Sequence, residues 1–110
     1  MQINDRIKEL RRMPASELVV NEKNWRRHTP WQKEGMKSLL ENVGYAGALI
    51  AYENNGDTIL IDGHLRQEVT PDENVPVLIL DVTEKEADLL LASFGPISSM
   101  AVSDAASLNK

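Results

Sequence analysis

A segment with the chemistry of a phosphate-binding turn, Asp62-Gly63-His64-Leu65-Arg66, follows directly on an apolar segment near the middle of this sequence. Glycine permits both a tight turn and the close approach of a ligand to the backbone. The guanidinium of Arg66 offers a fork of donors that matches phosphate oxygens. His64 can donate a hydrogen bond or titrate near neutral pH. If a helix begins after Gly63, its first backbone N–H groups also face the ligand. The segment is therefore a candidate anion-binding turn.

Two other interpretations of this segment stay open. In the first, Gly63 is only a turn, Asp62 caps the following helix, and Arg66 forms an ion pair with Asp62 or Glu68. In the second, Asp62, His64 and Glu68 bind a divalent metal beside a phosphate. A metal held by Asp62 and Glu68 would make His64 and Asp62 the candidate catalytic residues of a hydrolase acting on phosphate esters. The spacing of these three residues is not diagnostic of a metal site.

A basic segment, Asn24-Trp25-Arg26-Arg27-His28, is the second group of candidate ligand-binding residues. Arg26 and Arg27 could contact phosphates, and His28 is expected at the surface. Trp25 could stack on a base or a guanidinium, or it could pack on the core. Trp31, beside a helix start, is expected to act as a hydrophobic staple that packs on the core.

The first elements that position these residues are predicted from turn residues and hydrophobic spacing. Residues 5–13 predict an edge strand, because Pro14 prevents continuation as a helix. Residues 14–22 predict a connector with one helical turn at 15–18. Thr29-Pro30 begins a helix, since Thr29 and Gln32 form a capping-box pattern and Gly44 supplies a left-handed end.

The remaining elements surround the candidate site. Asn-Gly between the apolar segments 48–52 and 58–61 predicts a β-hairpin. A short helix follows from Gly63 to about Val69, because Pro71 disfavours helical geometry at Thr70. Residues 75–82 predict a strand, and 83–86 form a capping box that opens a helix ending at 95–96. Helical spacing predicts a weakly docked tail over 97–110. Together these elements predict an α+β domain with a small mixed sheet and short helices.

Length and composition predict one soluble domain over residues 1–110, and we expect its core at about 6–95. The chain has 110 residues, of which 42% are hydrophobic and 26% charged, in the range of ordinary globular domains. It contains no cysteine, which excludes thiolate nucleophiles and thiolate metal ligands. No apolar run approaches the roughly 20 residues that cross a bilayer, and the N-terminus lacks the layout of a signal peptide. We therefore expect a cytoplasmic protein without a membrane partner.

Charge is distributed unevenly along the chain. The net charge of −5 argues against generic coating of DNA. Residues 1–37 nevertheless hold nine Lys/Arg against five Asp/Glu, whereas residues 38–110 hold three against twelve. A basic N-terminal part and an acidic C-terminal part would attract anions to one face of the domain only.

The motifs, taken in order, resemble the ParB N-terminal and sulfiredoxin-like superfamily, which includes the ParB-like nuclease domains. Asp62 to Glu68, between an Ile-rich strand and Val75-Pro76-Val77-Leu78, resembles its phosphate-binding box. The segment 24–28 resembles its basic first box, and 83–87 resembles the start of its next helix. The resemblance covers about residues 6–95 and implies a small α+β fold with a Gly-x-x-Arg turn that holds nucleotide phosphates. The ligand of that turn is CTP in partitioning ParB proteins and ATP in sulfiredoxin.

The resemblance assigns phosphate or nucleotide binding to Gly63, His64, Arg66, Arg26 and Arg27, and three departures limit it. Sulfiredoxin carries its catalytic cysteine at the position of His64, so repair of sulfinic acids by that chemistry is excluded. ParB proteins carry two arginines in the turn, whereas this chain has Leu65 before Arg66. They also continue into helix-turn-helix and dimerisation domains, for which 110 residues leave no space. The compact form looks more like phage-borne or methyltransferase-associated members.

The expected function is that of a ParB-like domain in a DNA-handling system, set in partition, phage or DNA-modification biology. It would bind a nucleotide or a nucleic-acid phosphate at the Gly63–Arg66 turn, with CTP or ATP and Mg²⁺ as the implied cofactors. One alternative is an enzyme, either a metal-dependent nuclease or a nucleoside triphosphatase. Another is a non-catalytic adaptor that recruits a DNA methyltransferase or a phage protein. The oligomeric state is left open.

Overall fold

A mixed β-sheet forms the centre of the protein in the computed structural model, which describes residues 1–21 and 28–94. Its strands are β1 (Ile7–Pro14), β2 (Val19–Val20), β3 (Leu49–Asn54), β4 (Asp57–Asp62) and β5 (Asn74–Leu80). The helical elements are a 3-10 turn (Ala15–Glu17), α1 (Pro30–Asn42), α2 (His64–Val69) and α3 (residues 84–94). These elements confirm the predicted fold class, a small mixed sheet with short helices.

The sheet has the strand order β1-β5-β3-β4-β2. β5 runs antiparallel to β1 and parallel to β3, and β3 and β4 form an antiparallel hairpin. β1 lies at one edge, as predicted. β2 lies at the other edge, paired in parallel with β4. β2 was not predicted: its two residues fall in the expected connector and are too few to show an alternating pattern.

Local interactions confirm the predicted starts and turns. The Thr29 hydroxyl accepts a hydrogen bond from the Gln32 backbone N–H (3.2 Å), and the Gln32 side chain accepts one from the Thr29 N–H (2.8 Å). Glu86 and Thr83 make the same reciprocal pair at the start of α3, at 3.0 and 3.1 Å. In the hairpin turn, Asn55 (φ 52°) and Gly56 (φ 86°) both adopt left-handed geometry, as a type I′ turn requires. The predicted end of α3 and the tail 97–110 lie outside the described residues.

Buried side chains form one cluster on each face of the sheet, because successive residues of a strand point to opposite faces. The cluster on the first face includes Leu49, Leu60 and Val77. The cluster on the second face is centred on Tyr52 and Ile61 and is covered by α3 through Ala87. The hairpin therefore contributes to both clusters, which fixes the position of the segment that follows β4.

The helix α1 packs differently from the prediction. It has no buried residue, and Trp31 is 83% exposed, so the expected staple at Trp31 is wrong. A hydrophobic staple joins an apolar residue before the N-cap to the fourth helical position, but His28 precedes the cap here. Trp31 also lies about 140° around the helix axis from the half-buried Met36, given 100° per residue. Its indole therefore points away from the domain.

Within the described residues, no helix combines the length and the apolar composition that crossing a bilayer requires.

Candidate functional site

The connection between β4 and α2 is a single residue, Gly63, with φ +99° and ψ 22°. This left-handed geometry favours glycine. A Cβ at this position would lie 2.6 Å from Cγ of Leu49, a side chain with no exposed surface. Two independent constraints, backbone geometry and packing, therefore require glycine at the point where the strand turns into the helix.

Arg66 folds back over this turn. Its Nη1 donates a hydrogen bond to the carbonyl of Gly47 at 3.1 Å. Its Nη2 lies 3.3 Å from the position that a Cβ of Gly63 would occupy, and Nη1 lies 3.5 Å from the corresponding position at Gly47. The guanidinium thus lies between two glycines, in space that side chains at either position would restrict.

The ion pair considered for Arg66 does not form. Across residues 1–21 and 28–94, Arg66 has no carboxylate partner, and its only side-chain hydrogen bond goes to Gly47. In the same residues, the carboxylate of Asp62 makes no hydrogen bond to the first turn of α2, whose N-cap is Gly63. The interpretation of the segment as a capped turn with an internal salt bridge is therefore wrong.

Glu68 contacts two side chains at the start of α1, those of His28 and Lys33. Its Oε2 lies 2.9 Å from Nδ1 of His28, and its Oε1 lies 3.1 Å from Nζ of Lys33. The hydrogen bond to His28 is the main cause that lowers the pKa of Glu68, and Lys33 adds to it. The His28 side chain is 18% exposed, so this residue is half-buried against Glu68.

The metal interpretation gains no support from these positions. The described part of the chain contains no group of three or more His, Asp or Glu residues arranged to hold a metal ion. His64 opens α2 as a half-buried residue, and its Nε2 is shielded from solvent. A metal at Asp62 and Glu68 remains a prediction from the sequence alone.

The segment between α1 and β3 makes hydrogen bonds to α2 and to its C-cap. The Tyr45 hydroxyl donates to Oγ1 of Thr70 at 2.8 Å, and Oγ1 of Thr70 donates to the carbonyl of Arg66 at 2.7 Å. The carbonyl of Gly47 contacts the same helix through the guanidinium of Arg66. Three residues of this site were not predicted from the sequence: Tyr45, Gly47 and Thr70. Only Gly47 carries a signal, since a second glycine soon after Gly44 is typical of a close backbone approach.

The basic segment is only partly placed. Trp25, Arg26 and Arg27 lie outside the described residues, and their assignment to the phosphate site stays a prediction. His28, which follows them directly, contacts α2 through Glu68.

Solved structures with a similar fold share little sequence with this chain. The chromosome-partitioning protein ParB from Caulobacter crescentus, C-terminally truncated and complexed with CTP-gamma-S, superposes with a TM-score of 0.66 at 16% identity. The match covers 84% of this chain and 53% of that one. Sulfiredoxin from Arabidopsis thaliana gives a TM-score of 0.63 at 13% identity, covering 76% and 98% of the two chains. This chain has the ParB/sulfiredoxin-like fold.

A Pnob8-like ParB-N domain also shares the ParB/sulfiredoxin-like fold, with a TM-score of 0.63 and 18% identity over 84% of this chain and 39% of that one. This chain spans about half the length of the Caulobacter ParB structure described above. No protein-family model and no curated protein sequence matches it. These likenesses confirm the predicted ParB/sulfiredoxin-like fold, and the resemblance drawn from the sequence motifs is consistent with it.

Proposed function

We propose that this chain is a ParB-like phosphate- or nucleotide-binding domain of a DNA-handling system, with its site at the Gly63–Arg66 turn. One observation carries the proposal: the Arg66 guanidinium lies over Gly63 with no carboxylate partner among the described residues. We also propose, from the sequence resemblance, that Arg26 and Arg27 contact the phosphates from a second side of the site.

The charge of Arg66 remains available to an anion. A guanidinium has five N–H donors, and Gly47 accepts from one of its nitrogens. A carbonyl orients the group without neutralising it, whereas a carboxylate would compete with a phosphate for the same donors. The six residues of α2 are too few for a large helix dipole. Arg66 therefore provides the main electrostatic attraction of this turn.

A nucleoside triphosphate is the proposed ligand class. The Caulobacter ParB structure with the same fold holds CTP-gamma-S, which supports CTP as the first candidate. ATP is the second candidate, and it rests on the sequence resemblance to the sulfiredoxin-like superfamily. Mg²⁺ commonly binds through substrate phosphates together with one or two carboxylates. A magnesium ion, as the implied cofactor, would therefore enter on the nucleotide. We propose binding and assign no hydrolysis.

Titration calorimetry against CTP, ATP and short duplex DNA, with and without Mg²⁺, tests this proposal. Arg66→Ala is expected to weaken binding by about tenfold or more, because a hydrogen bond to a charged group contributes about 1.5–3 kcal/mol.

Arg12→Ala is the matched control, since it removes the same charge from the opposite face of the sheet. Arg12 is exposed and pairs in register with Pro76, whose neighbours Val75 and Val77 belong to the cluster that contains Leu49. Its affinity should stay within about twofold of the native protein, as expected for a distant screened charge. Absence of binding to every ligand, or equal losses in the two variants, would overturn the proposal.

A further inference from the structure

The carboxylate of Glu68 joins the start of α1 to the helix that carries Arg66. His28, just before the N-cap of α1, contacts one of its oxygens at 2.9 Å. Lys33, in the first turn of α1, contacts the other at 3.1 Å. Both oxygens of a single side chain therefore hold the same end of α1.

The chemistry of the contact fixes the direction of its hydrogen bond. The pKa of Glu68 is lowered, chiefly by the hydrogen bond with His28, so the carboxylate is ionised near neutral pH. An ionised carboxylate can only accept hydrogen bonds. Nδ1 of His28 is therefore the N–H donor, and the imidazole ring is held in a defined orientation against α2.

Polar links of this kind help to hold the helix α2 in position. It has six residues, none of them buried, and a helix this short is not stable by itself. On one side, Gly47 and Tyr45 hold it through Arg66 and Thr70. Glu68 follows Arg66 by two residues and so lies about 200° around the helix axis. The contacts of Glu68 with α1 therefore hold the side of α2 that Arg66 does not face.

We propose that Glu68 is a positioning residue for anion binding: by fixing α2 against the start of α1, it holds the Arg66 guanidinium over Gly63. This inference rests on the proposed function of the Gly63–Arg66 turn. Glu68 does not contact the anion, and it acts through the placement of the helix.

If Glu68 positions Arg66, removing its charge changes the binding affinity in the direction opposite to that expected from electrostatic repulsion alone. A carboxylate near a phosphate site repels the ligand, so removal of its charge alone should strengthen binding. If Glu68 positions Arg66, removal of the charge instead loosens α2 and weakens binding. The two accounts therefore predict opposite changes in affinity from a single substitution.

The experiment compares Glu68→Gln with Glu34→Gln by titration with CTP and with inorganic triphosphate. Circular dichroism first establishes that each variant is folded at the temperature used. Glu34 is exposed on α1 and has no ion-pair partner in the described part of the chain. We expect Glu68→Gln to weaken binding by about fivefold, the upper range for a partly exposed ion pair. Glu34→Gln should leave the affinity unchanged or slightly tighter.

Glu68→Asp provides a second, milder variant that keeps the charge and shortens the side chain by one methylene. Electrostatics alone predicts no change for it, whereas the positioning role predicts a loss of about twofold to threefold. An affinity equal to or tighter than native in both Glu68 variants would overturn the positioning role and leave the proposed function intact. Absence of binding in the native protein would overturn both.

Discussion

Replacement of Gly63 by alanine is expected to destabilise the fold strongly, for two reasons that can be read from the structure. Gly63 has a φ of +99°, and left-handed geometry costs a residue with a Cβ about 1–2 kcal/mol. The new methyl group would also lie 2.6 Å from Cγ and 3.1 Å from Cβ of Leu49. Leu49 is fully buried, so it cannot swing into solvent to make room.

The size of the loss follows from these two terms. Overpacking of a buried site costs about 1–3 kcal/mol, so the combined loss in the free energy of unfolding is about 2–5 kcal/mol. This is a large share of the roughly 5–15 kcal/mol that stabilises a typical domain. For a chain of this size we expect the melting temperature to fall by about 10–25 °C.

Urea denaturation followed by circular dichroism measures the effect, with Gly35→Ala as the matched control. Gly35 lies within α1, and an added Cβ there would meet nothing within 4 Å. The same chemical change should therefore stabilise the protein by about 0.5–1 kcal/mol, because alanine favours a helix interior over glycine. A Gly63→Ala protein as stable as the native one would refute the reasoning from backbone geometry and packing.

Two further predictions concern side chains outside the candidate site. Hydrogen bonds from the Arg6 side chain and, to a smaller extent, from the Thr83 backbone N–H lower the pKa of Glu86 to about 2, so the stability that these contacts contribute is fully present above the ordinary glutamate range. It should be lost as the pH falls towards about 2. Glu86→Gln should therefore flatten the acid limb of a plot of urea midpoint against pH; an unchanged limb would contradict the assignment. Trp31→Ala should change the free energy of unfolding by less than about 0.5 kcal/mol, because the indole is 83% exposed. A thermal melt showing a loss above about 1 kcal/mol would mean that Trp31 packs on the domain after all.

Most element boundaries could be predicted because their causes are local. The two capping boxes join residues three apart, and the Asn55–Gly56 turn depends on the backbone preferences of its own residues. The same holds for the turn at Gly63, where a strand gives way to a helix over a single residue.

The candidate site was predicted less completely, because several of its contacts join distant parts of the chain. Arg66 donates a hydrogen bond to a carbonyl 19 residues away in the sequence, and it does not pair with the nearby carboxylates of Asp62 and Glu68. Glu68 in turn pairs with His28, 40 residues before it. No spacing rule connects such residues, since their approach depends on how α1 and the loop before β3 pack beside α2.

The amino-acid sequence by itself determined the α+β class, the hairpin and the Gly63–Arg66 turn, since short-range hydrogen bonds and backbone preferences set them. Only the tertiary structure decided that Arg66 has no carboxylate partner among residues 1–21 and 28–94, that Trp31 points outwards and that Val19–Val20 forms an edge strand. These outcomes depend on which segments meet in space, and that is fixed by the packing of the whole sheet and its helices.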